Sequence, residues 1–273
     1  MKKLPWETLE NCPQKLRQLL CKIEKEEFQS DEIGLSESQV YLFPNQVLKI
    51  QEDNEEARNE AAMMDWLQGR VPAPQVIAHV CEGGRSYLLM TRTAGKMACD
   101  EEYMSNPRRL TQMLAEALKL LWRTDITGCP GKWGIERKLS MAEYWVEHDM
   151  VSMEDAEPDT YGKDGFRSPK ELYGWLAEHK PPEEPVLSHG DFTLPNLIFS
   201  GNELKGFIDL GRMGAADKWQ DIALCYRSLL HNYDGKYGGR RYEGFRPKML
   251  FEQLGMEPDW EKIRYYILLD ELF

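Results

Sequence analysis

Three side chains in the second half of the chain have the types and spacing of a phosphoryl-transfer site. Asp191 and Asn196 stand five positions apart in a polar loop between two apolar runs, and the next apolar run ends in Phe207-Ile208-Asp209-Leu210-Gly211. A hydroxyl that attacks a γ-phosphate needs a carboxylate to orient it and accept its proton, and Asp191 suits that role. Magnesium prefers hard oxygen ligands and takes few of them from the protein, so the side chains of Asn196 and Asp209 are sufficient beside water and phosphate oxygens. The α and β phosphates also call for a cation. Lys49, in the apolar strand Val47-Leu48-Lys49-Ile50, can supply it, with Glu60 on the following helix as its partner. His189 adjoins the proposed base and is read as a packed residue that braces the loop through hydrogen bonds. Arg212 either pairs with a nearby carboxylate or contacts substrate.

The elements that must position these residues can be read from periodicity and turn chemistry. Residues 14–28 form an amphipathic pattern with Leu16, Leu19, Leu20 and Ile23 on one side. Residues 33–51 read as two strands joined at Pro44-Asn45, which puts Lys49 on the second strand. A helix over about 54–68 carries Glu60 and stops before Val71-Pro72-Ala73-Pro74, because proline cannot continue it. Residues 75–79 and 86–91 read as strands around Gly83-Gly84. From residue 107 the pattern is mainly helical, and 107–123 shows the spacing of a helix with one buried face. A change of texture at 95–100 places a domain boundary there, dividing 1–95 from 96–273. The polar stretch 152–169 is a loop long enough to be functional or mobile.

Composition narrows the field. A chain of 273 residues, 42% hydrophobic and 29% charged, can bury a sizeable core and is neither disordered nor of low complexity. Its 34 basic and 46 acidic residues give a net charge of -12, which excludes a nucleic-acid surface and favours a cationic partner. No run approaches the roughly 20 apolar residues of a membrane-spanning helix. Six cysteines show no C-x-x-C pair, which reads as reduced thiols in a cytoplasmic protein rather than a zinc or redox site. Met1-Lys2-Lys3-Leu4-Pro5-Trp6-Glu7 has no apolar segment behind its lysines, so no secretion signal is expected.

His189-Gly190-Asp191 with Asn196, followed by Asp209-Leu210-Gly211, resembles the signature of the aminoglycoside phosphotransferases, relatives of the eukaryotic protein kinases. The stretches 207–212, 216–223 and 259–273, with Met63-Met64-Asp65-Trp66-Leu67 and Val71-Pro72-Ala73-Pro74, are similar to the 3'-phosphotransferases in particular. The resemblance implies an α+β, two-lobed protein-kinase-like fold. An N-terminal nucleotide-binding lobe, a hinge near 91–96 and a helical catalytic and substrate-binding lobe would hold ATP or GTP and Mg2+ between them. It implies that Asp191 is the catalytic base and that Asn196 and Asp209 are the metal ligands. Lys49, held by Glu60, would contact phosphate, the loop from Gly34 to Ser38 with Ser36 would cover the nucleotide, and the backbone from Thr91 to Thr93 would bind adenine. The acceptor would be a polycationic aminoglycoside such as kanamycin, phosphorylated on its 3'-hydroxyl with resistance as the outcome. Its ammonium groups would meet Glu157 and its acidic neighbours in 152–169, Asp270, Glu271 and the terminal carboxylate of Phe273, and Arg212 would, on one of its two readings, contact the substrate elsewhere. The enzyme would be a monomer or homodimer.

Departures from that pattern bear on substrate range. His231 stands where relatives carry a substrate-facing acid, Val47 where an aromatic stacks on adenine, and residues 232–250 bring basic groups without a counterpart in the pattern. A kinase for another small hydroxyl compound, an amino sugar or choline-like amino alcohol, would use the same trio. A catalytically silent nucleotide-binding protein is the alternative from another class, and the retained Asp191, Asn196 and Asp209 argue against it. A protein kinase fits less well, since Asp209 to Asp221 is too short for an activation segment.

Overall fold

The computed structural model describes residues 12–20, 29–31, 38–154, 156–163 and 165–273 of the chain. In chain order they form α1 (Gln14–Leu20), β1 (Gln29–Asp31), β2 (Gln39–Leu42), β3 (Gln46–Glu52), α2 (Glu55–Leu67), β4 (Val76–Glu82), β5 (Arg85–Thr91) and β6 (Lys96–Met97). There follow α3 (Glu101–Met104), α4 (Pro107–Arg123), α5 (Ile135–Glu147), α6 (Pro169–Glu178), β7 (Pro185–Ser188), β8 (Leu197–Ser200), β9 (Glu203–Phe207) and β10 (Gly214–Asp217). The chain ends in α7 (Lys218–Asp234), α8 (Lys248–Leu254) and α9 (Trp260–Asp270). This α+β chain divides into two compact units, one of Met1–Lys96 with Ile198–Arg212, the other of Met97–Leu197 with Met213–Phe273.

The first unit is built on an antiparallel sheet of order β1-β2-β3-β5-β4. Phe43 N–H donates to Gln46 O at 2.9 Å and closes the turn at Pro44-Asn45. The β4–β5 hairpin turns on Gly83 and Gly84, whose φ angles of +62° and +76° explain why both are glycine. Successive side chains of a strand face opposite ways. Leu48 and Ile50 of β3 are therefore buried with Leu16 and Leu20 of α1, while Lys49 between them faces α2. The side chain of Asn54 accepts from Ala57 N–H at 2.9 Å and starts α2, a cap of about 1 kcal/mol. Residues 21–28, the remainder of the first expected helix, and residues 32–37, which include Ser36, lie outside the described residues.

Residues Ile198–Arg212 return to this unit. β8 and β9 are neighbours in a sheet, and Phe207 N–H donates to Pro72 O at 3.0 Å. Gly95 makes the approach possible, since a Cβ there would stand 2.4 Å from Phe199 O.

In the second unit α4 buries Leu110, Met113, Leu114, Ala117, Leu118 and Leu121 along one face. Asn106 accepts from Arg109 N–H at 3.1 Å and Pro107 occupies the first helical position, where its missing donor costs nothing. The start of α5 follows Gly134, which has no side chain to cap with, and Glu183 Oε1 accepts from Ile135 N–H at 2.9 Å instead. β7 pairs antiparallel with β10, with Ser188 opposite Gly214, and α7 packs on β7 and α9. The chain from β7 thus emerges directly beside α7.

Candidate active site

In the first unit, Lys49 Nζ lies 2.9 Å from Glu60 Oε2 and 2.7 Å from Asp209 Oδ1. A strand, a helix and the returning segment so deliver three expected site residues to one cluster. Burial alone would push the Lys49 ammonium down, but the carboxylates of Glu60 and Asp209 more than offset it and hold it above the ordinary lysine value. Burial holds Glu60 above the ordinary carboxylate value, against the pull of Lys49 and the Leu210 amide, which donates to Glu60 Oε1 at 3.3 Å. Asp209 has φ +59°, a left-handed conformation that aspartate tolerates better than most side chains. Arg212 Nε donates to Glu56 Oε1 at 2.9 Å.

Thr91 is tied to Gln75, donating its N–H to Gln75 O at 3.0 Å and accepting from Gln75 N–H through Oγ1 at 2.9 Å. Arg92 N–H donates to Asn45 O at 3.0 Å. A cavity of about 430 Å³ beside them is lined by Ala73, Gln75, Thr91, Thr93, Gly95 and Lys205, among others.

In the second unit, Asn196 Nδ2 donates to Asp191 O at 3.0 Å and to Asp191 Oδ2 at 2.8 Å. Those two bonds fix the amide so that its Oδ1, the hard oxygen a magnesium ion prefers, is the atom not spent on Asp191. The loop that carries Asp191 is held by α7. Asp221, fully buried, accepts from Ser188 Oγ at 2.9 Å, His189 N–H at 2.7 Å and Gly190 N–H at 3.0 Å. Gln220 Nε2 donates to Gly190 O at 2.7 Å, and Ser228 Oγ accepts from Leu194 N–H at 3.0 Å. Residues 221 and 228 lie two turns apart on one helix face, which is why a single helix can grip the loop at both ends. Gly190 has φ +82°, and the buried His189 accepts from Asp191 N–H at 3.3 Å. Burial raises Asp221 above the ordinary aspartate value, opposed by His189 and the donors it gathers.

The expected acceptor residues of the second unit form another cluster. Glu157 Oε1 lies 2.6 Å from His231 Nε2 and 3.2 Å from Lys236 Nζ, and Glu157 N–H donates to Glu271 Oε1 at 2.8 Å. Burial raises Glu271, with the Thr160 hydroxyl, the Glu157 amide and Arg227 opposing it. Asp270 is paired with Arg227 and is half-buried. Phe273 sets its ring edge-on to Trp145 at 5.9 Å. Asp159 pairs with Arg264 at 3.0 Å, and Glu154 is exposed. Asp155 lies outside the described residues.

Sequence reasoning missed Asp221, Gln220, Ser228, Arg227 and Lys236. A signal existed for the first: Asp221 precedes Ile222-Ala223-Leu224-Cys225, and a carboxylate entering so apolar a helix must find buried donors. Among the described residues no helix is long and apolar enough to cross a membrane.

Comparison with known proteins bears on both clusters. Residues 32–266 match the phosphotransferase enzyme family. An aminoglycoside 3'-phosphotransferase from Enterococcus faecalis is 38% identical over 264 residues, covering 92% of this chain and 95% of the relative. One from Staphylococcus aureus is 37% identical over 263 residues, with the same coverage of 92% and 95%. Among solved structures, an aminoglycoside 3'-phosphotransferase of type VIII superposes with a TM-score of 0.78 at 24% identity, covering 94% of this chain and 97% of that one. The α+β fold is the kinase-like fold of these phosphotransferases.

Proposed function

Because the chain belongs to the phosphotransferase enzyme family, we propose that it is a cytoplasmic enzyme that transfers the γ-phosphoryl group of ATP or GTP, with Mg2+, to the 3'-hydroxyl of aminoglycosides such as kanamycin. The observation that carries the reaction type is Lys49 buried between Glu60 and Asp209, at 2.9 and 2.7 Å. A buried ammonium so held is a fixed point charge for the α and β phosphates. The choice of acceptor is supported by the relatives from Enterococcus faecalis and Staphylococcus aureus, whose names specify the aminoglycoside 3' position.

Asp191 orients the acceptor hydroxyl and takes its proton as the oxygen attacks phosphorus. Its carboxylate is steadied by Asn196 Nδ2, and its backbone by the loop that Asp221 anchors. Asn196 Oδ1 in the second unit and the Asp209 carboxylate in the first are each hard oxygen donors of the kind Mg2+ prefers, and the ion would neutralise charge on the transferring phosphate. The N–H groups of Thr91 and Arg92 are used within their own unit, so a purine edge in the 91–93 stretch would use its carbonyls and the Thr93 amide. The acceptor's ammonium groups meet the acidic cluster around Glu157. Phosphorylation adds negative charge where ribosomal RNA must be bound, and resistance follows.

A coupled nucleotide-turnover assay with kanamycin and with tobramycin, which lacks the 3'-hydroxyl, tests the reading. Turnover on kanamycin alone is expected. Equal turnover on both would overturn the 3' assignment, and silence on both would overturn the acceptor class.

A further inference from the structure

The acceptor cluster is less acidic than its carboxylates imply, because the chain answers them from within. Arg227 pairs with Asp270 and Arg264 with Asp159, and Glu157 Oε1 already holds His231 Nε2 at 2.6 Å and Lys236 Nζ at 3.2 Å. Lys236 comes from the 232–250 segment, which also carries Arg240, Arg241, Arg246 and Lys248. Its side chain is 38% exposed, against 11% for His231, so of the two groups on Glu157 it is the one that a ligand in solution can reach and displace.

The placement of Lys236 is built into the backbone. Gly235, at φ +85°, ends α7 in the left-handed conformation, and a Cβ there would meet Arg241 Cγ at 3.0 Å. Lys236 N–H donates to Asp234 Oδ1 at 2.8 Å and Tyr237 N–H to His231 O at 2.9 Å. The Tyr237 ring stands edge-on to His231 at 5.0 Å, and Phe245 stacks on Tyr233 at 4.7 Å, which ties the far end of the segment to the same helix. The residues on both sides of Lys236 are therefore fixed, and its stem delivers an ammonium to Glu157.

We propose that Lys236 is a specificity-determining residue of the acceptor site, an internal ammonium that competes with a substrate amine for the carboxylate of Glu157. The inference rests on the reading of Glu157 as an acceptor contact. Lysine and an amino sugar both present compact, strongly hydrated ammonium groups, and one carboxylate oxygen cannot serve both equally. An acceptor amine at this point exchanges one ammonium for another and gains little. The site thereby discriminates weakly between an amine and a hydroxyl facing Glu157, and accepts both classes of amino sugar there.

The test is steady-state kinetics with kanamycin and ATP on the full chain. K236M is expected to lower the kanamycin KM by about threefold, the scale of one partly exposed ion pair. K236R, which keeps the cation, should stay near the wild-type kanamycin KM, and the ATP KM should not follow these changes. Adding E157Q to K236M should reverse the gain. If K236M leaves the kanamycin KM unchanged or raises it, while E157Q/K236M raises it above K236M, the role of Lys236 is overturned and the acceptor reading stands. If E157Q/K236M equals K236M, Glu157 is not an acceptor contact and both readings fall.

Discussion

Replacing Asp221 with asparagine should loosen the loop that carries Asp191 without touching any reacting group. The carboxylate gathers Ser188 Oγ and Gly190 N–H on Oδ1, at 2.9 and 3.0 Å, and His189 N–H on Oδ2, at 2.7 Å. Hydrogen bonds to a charged acceptor contribute about 1.5–3 kcal/mol each, against about 1 kcal/mol for neutral ones. An amide oxygen in the Oδ1 place keeps two of the three bonds in weakened form and turns an N–H2 group toward His189 N–H. One bond is lost, and His189 N–H and the new amide N–H2 face each other as buried donors, at about 1–3 kcal/mol for each group. Against this, the amide carries no charge to desolvate, and desolvation is what raises the Asp221 pKa. A net loss of about 2 kcal/mol is expected, read as a lowered urea midpoint. Because a shift of about 1 Å in a catalytic group can cost about 10²-fold in rate, D221N should lower kcat far more than it alters the ATP KM. A D221N protein with the wild-type urea midpoint and kcat would refute the claim that this carboxylate positions the loop.

Three further outcomes follow from the same geometry. D191A should lower kcat by about 10² or more while calorimetric ATP binding persists, and wild-type turnover would remove Asp191 from the mechanism. K49M leaves Glu60 buried without its ammonium, and removing one partner of a buried pair costs about 3–5 kcal/mol, so a clear fall in Tm and a raised ATP KM are expected; an unchanged Tm would contradict the pairing. Glu171 is held down to about 2 by the Arg167 side chain and amide. Its folded pKa lies below the unfolded one, so its contribution is present above about pH 4.3 and is lost as pH falls through about 2. A carbon-detected NMR titration of Glu171 with a midpoint in the ordinary glutamate range would count against that pair.

What the sequence made legible was local. Asn106-Pro107 marks the start of α4 and periodicity marks its extent, so Pro107–Arg123 is found where expected. The Pro44-Asn45 and Gly83-Gly84 turns fall between strands for the same reason: their chemistry is decided within four residues. The proposed trio of Asp191, Asn196 and Asp209 rests on its order along the chain and on its family wording. Illegible were the contacts made over distance. Glu183 caps α5 from 48 positions away, Asp221 grips a loop more than 30 positions earlier, and residues Ile198–Arg212 rejoin the first unit. No pattern within a helix or strand announces such a partner, because the free energy that selects it comes from burial in the finished fold.

The charge sum of -12 illustrates the difference. It favoured a cationic partner as a sum over the whole chain, and such a sum does not say which carboxylates already hold a cation of the chain itself. Asp270 holds the guanidinium of Arg227, Glu271 accepts from the Glu157 amide and is buried, and Leu272 is fully buried. Removing the last four residues would therefore strip the partner from a buried cation and open an apolar core, and a rise in the aminoglycoside KM of such a truncation would report damage as readily as a lost contact. The acidic contribution to the acceptor is better isolated at Glu157. On the proposed reading, Glu157 is also the carboxylate that Lys236 answers at 3.2 Å, so the affinity for polycations would be set by the balance at that one carboxylate more than by the total.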